Sequence, residues 1–239
     1  MAIMLLLRHG RTQANADGIL AGWTTGIGLD ETGQTQAQRV AERLAGVPIV
    51  GALVSPLQRC QETATIALSN VAEPPTVVTE DGIGECRYGA WTGRPLKELS
   101  KEPLWKDVQR APSTVEFPGG DDFPGERMAD MQQRAVTAVR AFDAAIEEAH
   151  GPGAIWLAVS HGDVIKAILA DAAGTPLDNF QRIVADPASL SIVRYTKTQP
   201  FLLRTNDTGS EPLDLSKQAH AATQEDSEQA QVGGGAGAA

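Results

Sequence analysis

The sequence predicts an α/β fold: a three-layer α/β/α sandwich around a mostly parallel central sheet. Three observations predict it. Short apolar runs ("AIMLLL", "PIVGALV", "AIWLAV") recur along the chain, each followed by a longer amphipathic stretch. The runs are continuous rather than alternating, as strands covered on both faces require. A chain of 239 residues, 42% hydrophobic and 21% charged, can bury one sizeable core. Strand, helix, strand in succession then means βαβ units with helices on both faces.

Ala2–Leu7 reads as the first buried strand, ended by Gly10 after an Arg-His pair. A glycine-rich loop, "DGILAGWTTGIG", leads to a helix over roughly Thr32–Ala45, with Asp30 as its N-cap. "PIVGALVSP" is the second strand, and Ser55 and Pro56 offer a cap and a first helical residue for "SPLQRCQETATIAL". "PPTVVTEDGIGE" supplies a third strand running into a loop. Residues 85–125 mix Trp91, Trp105, Phe117 and Phe123 with prolines and glycines, an excursion from the sheet carrying one or two short helices. "ERMADMQQRAVTAVRAFDAAIEEA" is an amphipathic helix ended by His150-Gly151-Pro152-Gly153. "AIWLAVSHG" is the fourth buried strand and "DVIKAILADAAG" its helix; "SLSIVRYTK" alternates like an edge strand, and "PFLLRTN" adds one more.

The folded domain is expected over residues 1–206. Residues 207–239 form an acidic, Ala/Gly-rich tail whose composition predicts disorder and whose removal should leave activity unchanged. Residues 205–239 hold six acids against one lysine, half of the net charge of −10. That charge speaks against nucleic acid or an anionic membrane as partner. No run reaches the length of a membrane span, and "MAIMLLL" makes a poor signal peptide, so a cytoplasmic location is expected. The oligomeric state stays open, with the edge strand at "SLSIVRYT" as one surface on which a homodimer could pair.

Ligands of open α/β sheets bind outside the carboxyl ends of the strands. "LLLRHGRT" and "LAVSHGDV" echo each other there, each an apolar strand delivering X-His-Gly to a polar segment. Arg8 adjoins His9, His161 leaves the fourth strand, Arg59 opens the helix after the second, and Glu85 follows the third. Singly these are ordinary turn, helix and loop residues; together they place two imidazoles, two guanidiniums and a carboxyl on one rim. Guanidinium forks and helix N-termini suit a tetrahedral dianion. Neighbouring cations keep an imidazole neutral, hence nucleophilic, and a carboxylic acid can protonate a leaving oxygen. The set describes phosphoryl transfer through a phosphohistidine.

Metal is a poor rival: His161 and Asp163 lack suitably spaced further ligands, and Asp163 suits the first turn of its helix. There is neither a dinucleotide loop nor a Walker lysine, and no cofactor is expected. Cys60 and Cys86 form no disulfide framework and read as packed thiols, with oxidation-sensitive turnover as the alternative.

"LLLRHGRTQAN", "SPLQRCQETA", "ECRYGAWTG" and "VSHGDVI" resemble the histidine phosphatase superfamily, the phosphoglycerate mutase-like proteins, over roughly residues 2–206. The later stretch "HGDVIKAILADAAGTPLDNFQRIVADPASLSIVRY" looks like an actinobacterial branch of probable phosphomutases. The resemblance implies His9 as the phosphorylated nucleophile, Arg8, Arg59 and His161 as the phosphate pocket, and Glu85 as proton donor. It adds Asn15 as a phosphate-side contact and Tyr88 as a substrate-side aromatic. Mutases of the family carry a basic residue directly after the acid, where this chain has Cys86, and further arginines in a longer insertion. The expectation is therefore a phosphatase acting on a small phosphomonoester, with a phosphoglycerate mutase-type phosphomutase or a non-catalytic phosphate-binding module as alternatives. The aromatics of the excursion are expected to pack its own core rather than wall the substrate.

Overall fold

The computed structural model describes residues 2–223. Its elements, in chain order, are β1 (Ile3–Arg8), α1 (Gln13–Ala16), α2 (Glu31–Leu44), β2 (Ile49–Val54), α3 (Gln58–Ala67), β3 (Thr76–Thr79), α4 (Leu96–Leu99), α5 (Pro103–Arg110), α6 (Met128–His150), β4 (Ile155–Ser160), α7 (Gly162–Ala172), β5 (Leu190–Arg194), β6 (Phe201–Asp207) and α8 (Ser216–Ala222). The strands form one sheet in the order β3-β2-β4-β1-β5-β6. The first four run parallel, and β5 is antiparallel to both neighbours.

β1 lies near the middle, and its unbroken apolar run is explained by cover on both faces. Met4 and Leu6 pack with Trp156, Val164 and Ile168 in one layer; Ile3, Leu5 and Leu7 pack with Val40, Leu44 and Ala64 in the other. β1 pairs directly with β4, Arg8 opposite Ser160. The residues that follow, His9 and His161, therefore leave the sheet side by side. α2 begins where the Asp30 carboxylate accepts the Gly33 N–H at 2.7 Å. Its N-terminus abuts the Gly10 backbone so closely that a methyl at Gly10 would stand 2.6 Å from the Gly33 carbonyl oxygen.

Three expectations are corrected. α3 starts at Gln58 with Leu57 as its cap residue; the Ser55 hydroxyl is 2.7 Å from His161 Nε2 and accepts the Leu57 N–H at 3.4 Å, one residue ahead of the helix. β5 is an interior strand, so "SLSIVRYT" offers no free edge for a second copy. Its serines are buried: the Ser191 hydroxyl accepts the Asn206 N–H, and the Ser189 carbonyl accepts the Arg8 N–H. The sheet edges are β6 and β3, and β3 is exposed throughout.

The third correction concerns the tail. Residues 207–223 turn back onto the body instead of leaving it. Buried Arg43 binds the Asp207 carboxylate at 2.7 Å and the Glu211 carbonyl at 3.1 Å. Leu213 and Leu215 join the core beneath α2 and α3. Residues 224–239 lie outside the described residues. Among the described residues, no helix is long and apolar enough to cross a membrane.

Candidate active site

His9, Arg8, Arg59 and Glu85 converge on one cavity of about 410 Å³ at the carboxyl ends of β1, β2 and β4, and fully buried His161 stands behind them, against His9 and Glu85. His9 and His161 meet edge to face, ring centroids 5.3 Å apart. His9 Nδ1 lies 2.7 Å from the Gly10 carbonyl oxygen. A carbonyl can only accept, so Nδ1 carries the proton and Nε2 keeps its lone pair. Burial, then the Arg59 and Arg8 charges, hold the His9 pKa well below the ordinary histidine value. The same causes, with His9 itself, lower His161.

Each arginine is anchored by one arm and left free on another. Arg8 Nη1 donates to the Ala185 carbonyl at 2.7 Å and Arg59 Nη2 to the Gly22 carbonyl at 2.9 Å. Among the described residues, Arg8 Nε and Arg59 Nη1 are buried and have no partner. Two buried, unanswered cationic N–H groups beside a neutral imidazole are what an anion of two negative charges would satisfy.

Glu85 stands opposite, its Oε2 3.7 Å from His161 Nδ1 and 3.9 Å from Arg59 Nη2. Its Oε1 accepts the Cys86 N–H at 2.9 Å and lies 3.4 Å from the Tyr88 hydroxyl oxygen. Burial raises its pKa above the ordinary carboxyl value despite Arg59. The backbone of this loop is clamped. Arg134 on α6 donates to the Gly82, Gly84 and Glu85 carbonyls at 2.8–2.9 Å, and the Trp23 indole donates to the Glu85 carbonyl at 2.6 Å.

Asn15 and Tyr88 also line the cavity. Asn15 closes a capping box with Thr12 at the start of α1. Tyr88 donates to the Asp163 carboxylate at 2.8 Å. Asp163, read from sequence only as a first-turn residue of α7, is a wall of the site. Burial would raise its pKa, but Lys166, the Tyr88 hydroxyl and Arg8 outweigh that and hold it below the usual value. Sequence reasoning also missed Ser55, which touches His161, and Lys166 and Gln181 farther out. Position at a strand's carboxyl end was the available signal for Ser55. Lys166 had one too, since it lies one turn past Asp163 on α7.

Both thiols are buried and free. Burial pushes Cys60 up to about 12 and Cys86 well above its usual value, overcoming the nearby arginines. Of the aromatics, Trp91 and Phe117 both fill the core and face the cavity, and half-buried Trp105 lines it. Trp23 and Phe123 instead border a separate recess with Arg87.

Comparison with known proteins agrees on one family. The family model described as histidine phosphatase superfamily (branch 1) matches residues 4–208. An adenosylcobalamin/alpha-ribazole phosphatase of Escherichia coli is 31% identical, covering 79% of this chain and 87% of that protein. A probable phosphoglycerate mutase of Yersinia enterocolitica is 31% identical over 84% of this chain and 88% of its own. Among solved structures, Bacillus stearothermophilus YhfR superposes with a TM-score of 0.76 at 26% identity, covering 88% of this chain and 99% of that one.

Proposed function

The chain belongs to the histidine phosphatase superfamily, and from that premise we propose that it is a phosphatase hydrolysing a small phosphomonoester through a phosphohistidine on His9. The observation that carries the proposal is the pairing of a neutral, pinned imidazole with the two buried guanidinium N–H groups that lack partners.

His9 Nε2 attacks phosphorus, forming an N–P bond as the ester P–O bond breaks. Glu85, whose pKa burial raises above the ordinary carboxyl value, gives its proton to the departing alkoxide, so the alcohol leaves neutral. Arg8 and Arg59 take the charge spread over the equatorial oxygens, and neutral His161 completes the pocket. In the second half, ionised Glu85 removes a proton from water, whose oxygen attacks phosphorus. The N–P bond breaks, and His9, Glu85 and inorganic phosphate are released. No step calls for a metal.

Two observations favour hydrolysis over phosphomutase chemistry. Cys86 is buried, and Arg87 lies over the Trp23 ring at 4.7 Å rather than lining the cavity. Neither supplies the cation after the acid that a phosphoglycerate would need. A pure binding module would have no use for a raised-pKa carboxyl aimed at the same point.

The test is phosphate release from a panel of monoesters with metals chelated. Release that disappears in His9→Ala, with an acid-labile phosphoryl group trapped on the wild-type chain, is expected. Release that persists in His9→Ala, or isomer exchange without release, would overturn the hydrolytic reading.

A further inference from the structure

The phosphoryl group occupies only one end of the cavity; the other end records what the alcohol must be. Its walls are Trp91, Leu96, Trp105 and Val108 from the excursion, with Ile183 and Val184 from the loop before β5. Val184 is 56% exposed, an uncovered apolar side chain at the mouth. The aromatic rings form a continuous row. Tyr88, which touches both Glu85 and Asp163, packs on Phe117 at 5.1 Å; Phe117 packs on Trp91 at 5.3 Å; Trp91 stacks on Trp105 at 6.1 Å, the planes inclined by 27°. The row leads from Glu85 to Trp105, a half-exposed indole at its outer end.

Charge narrows the choice further. Among the described residues lining the cavity, the cations are Arg8, Arg59 and Lys166. The arginines face the phosphoryl end. Lys166 is already engaged, by the Asp163 carboxylate at 3.0 Å, the Gln181 side-chain oxygen at 2.6 Å and the Phe180 ring at 4.6 Å. Lys97, Lys101, Lys106 and Arg110 of the excursion do not line the cavity. A carboxylate on the alcohol would meet Asp163 and Glu85 and no unengaged cation, with only the side-chain amides of Gln109 and Gln181 to offset part of its desolvation cost.

We infer that the outer half of the cavity is a slot for a flat apolar body, so that the substrate is the phosphomonoester of an aryl-bearing or heteroaromatic alcohol lacking a carboxylate, stacked against Trp105. The inference rests on the phosphoryl-end reading above and goes beyond it in naming the leaving group. A cavity of about 410 Å³ lies in the range of about 300–1,000 Å³ that holds whole organic ligands. Stacking and apolar burial favour such a body, while a three-carbon acid would leave the walls wet.

The test compares 2-phenylethyl phosphate, ethyl phosphate and O-phosphoserine, whose leaving oxygens are all alkyl. Expected is a kcat/KM for the phenylethyl ester about tenfold above ethyl phosphate, with phosphoserine lowest. Trp105→Ala should lower the phenylethyl value at least fivefold more than the ethyl value. Val184→Lys, at an exposed position that the fold tolerates, should raise phosphoserine relative to the phenylethyl ester. Phosphoserine turned over as well as the phenylethyl ester, or equal losses on all three in Trp105→Ala, would overturn the slot. Should no ester release phosphate, calorimetry with 2-phenylethylphosphonate and 3-phosphonopropionate separates the two readings. Tighter binding of the aromatic phosphonate keeps the slot while turnover falls; equal, reversed or absent binding overturns it.

Discussion

The two ends of the cavity are built on opposite plans. At the phosphoryl end, His9, Arg59 and His161 are buried and fixed by main-chain carbonyls or by Ser55, and each leaves the sheet at the end of a strand or in the first turn after it. At the outer end the walls are mostly apolar, range from buried Trp91 and Val108 to exposed Val184, and are drawn from short helices and loops that the sheet does not order directly. The difference teaches a division of labour. Chemistry that tolerates little displacement sits on the rigid sheet rim, while substrate choice is left to segments whose side chains can change without disturbing it.

The largest effects should come from the phosphoryl end. His9→Ala removes the N–P intermediate and should abolish phosphate release from every ester alike, measured as single-turnover release. Glu85→Gln removes the proton for the leaving oxygen; kcat/KM, which reports formation of the phosphohistidine, should fall by about 10²–10⁴ on alkyl esters and much less on p-nitrophenyl phosphate, whose leaving group needs no proton. Arg59→Ala should cost about 10²–10³, by analogy with lost oxyanion donors. Uniform losses across leaving groups in Glu85→Gln would break the separation of roles.

The pH profile follows from the same groups. His9 must be neutral to attack, and its lowered pKa puts the acid limb below the ordinary histidine value of 6.5. Glu85 must be protonated to donate, and its raised pKa carries the protonated form above 4.5, so activity on alkyl esters falls on the alkaline side as Glu85 ionises. In the kcat/KM profile of the unmodified chain with the aryl ester, that alkaline limb should be absent while the acid limb stays.

These contrasts also explain what the sequence disclosed. The phosphoryl end was legible because strand, X-His-Gly and helix are contiguous: β1 and β4 lie in register, so the echo in sequence becomes contact in space. Asp163 was visible as a helix start but not as a wall, since its partner Tyr88 is 75 residues away. The outer end gave no spacing at all. Its aromatics do two jobs, core and wall, and composition cannot separate them. The sheet edge was misjudged at β5 because Ser189 and Ser191 mimic a solvated face, although their hydroxyl and carbonyl groups are spent inside the fold. The tail was misjudged because two leucines, Leu213 and Leu215, were outvoted by polar neighbours.

Arg134 supports the phosphoryl end from behind. Its guanidinium holds the carbonyls of the Glu85 loop while also binding Glu126 at 2.6 Å, yet it touches no cavity surface. Arg134→Leu should leave His9 and the arginines in place and let the proton donor drift. A displacement near 1 Å costs up to about 10² in rate, so about tenfold on ethyl phosphate, with little on p-nitrophenyl phosphate, is the expected pattern. Equal losses on both esters would mean that the variant disturbs the whole rim.

The smallest effect on catalysis should come from the farthest region. Leu213 is 6% exposed, lies in the core layer under α2 and α3, and has its N–H bound by the Arg43 carbonyl at 3.1 Å. Leu213→Ala should cost about 2–3 kcal/mol of stability, lowering Tm by roughly 4–10 °C. Below the transition, the ratio of kcat/KM between phenylethyl and ethyl phosphates should match the unmodified chain. That layer sits on the face of the sheet opposite Trp91, Phe117 and the rest of the aromatic row. A changed ratio would show that the slot's shape depends on packing across the sheet, and the division between rigid chemistry and adjustable recognition would then have to be redrawn around α2 rather than around the excursion.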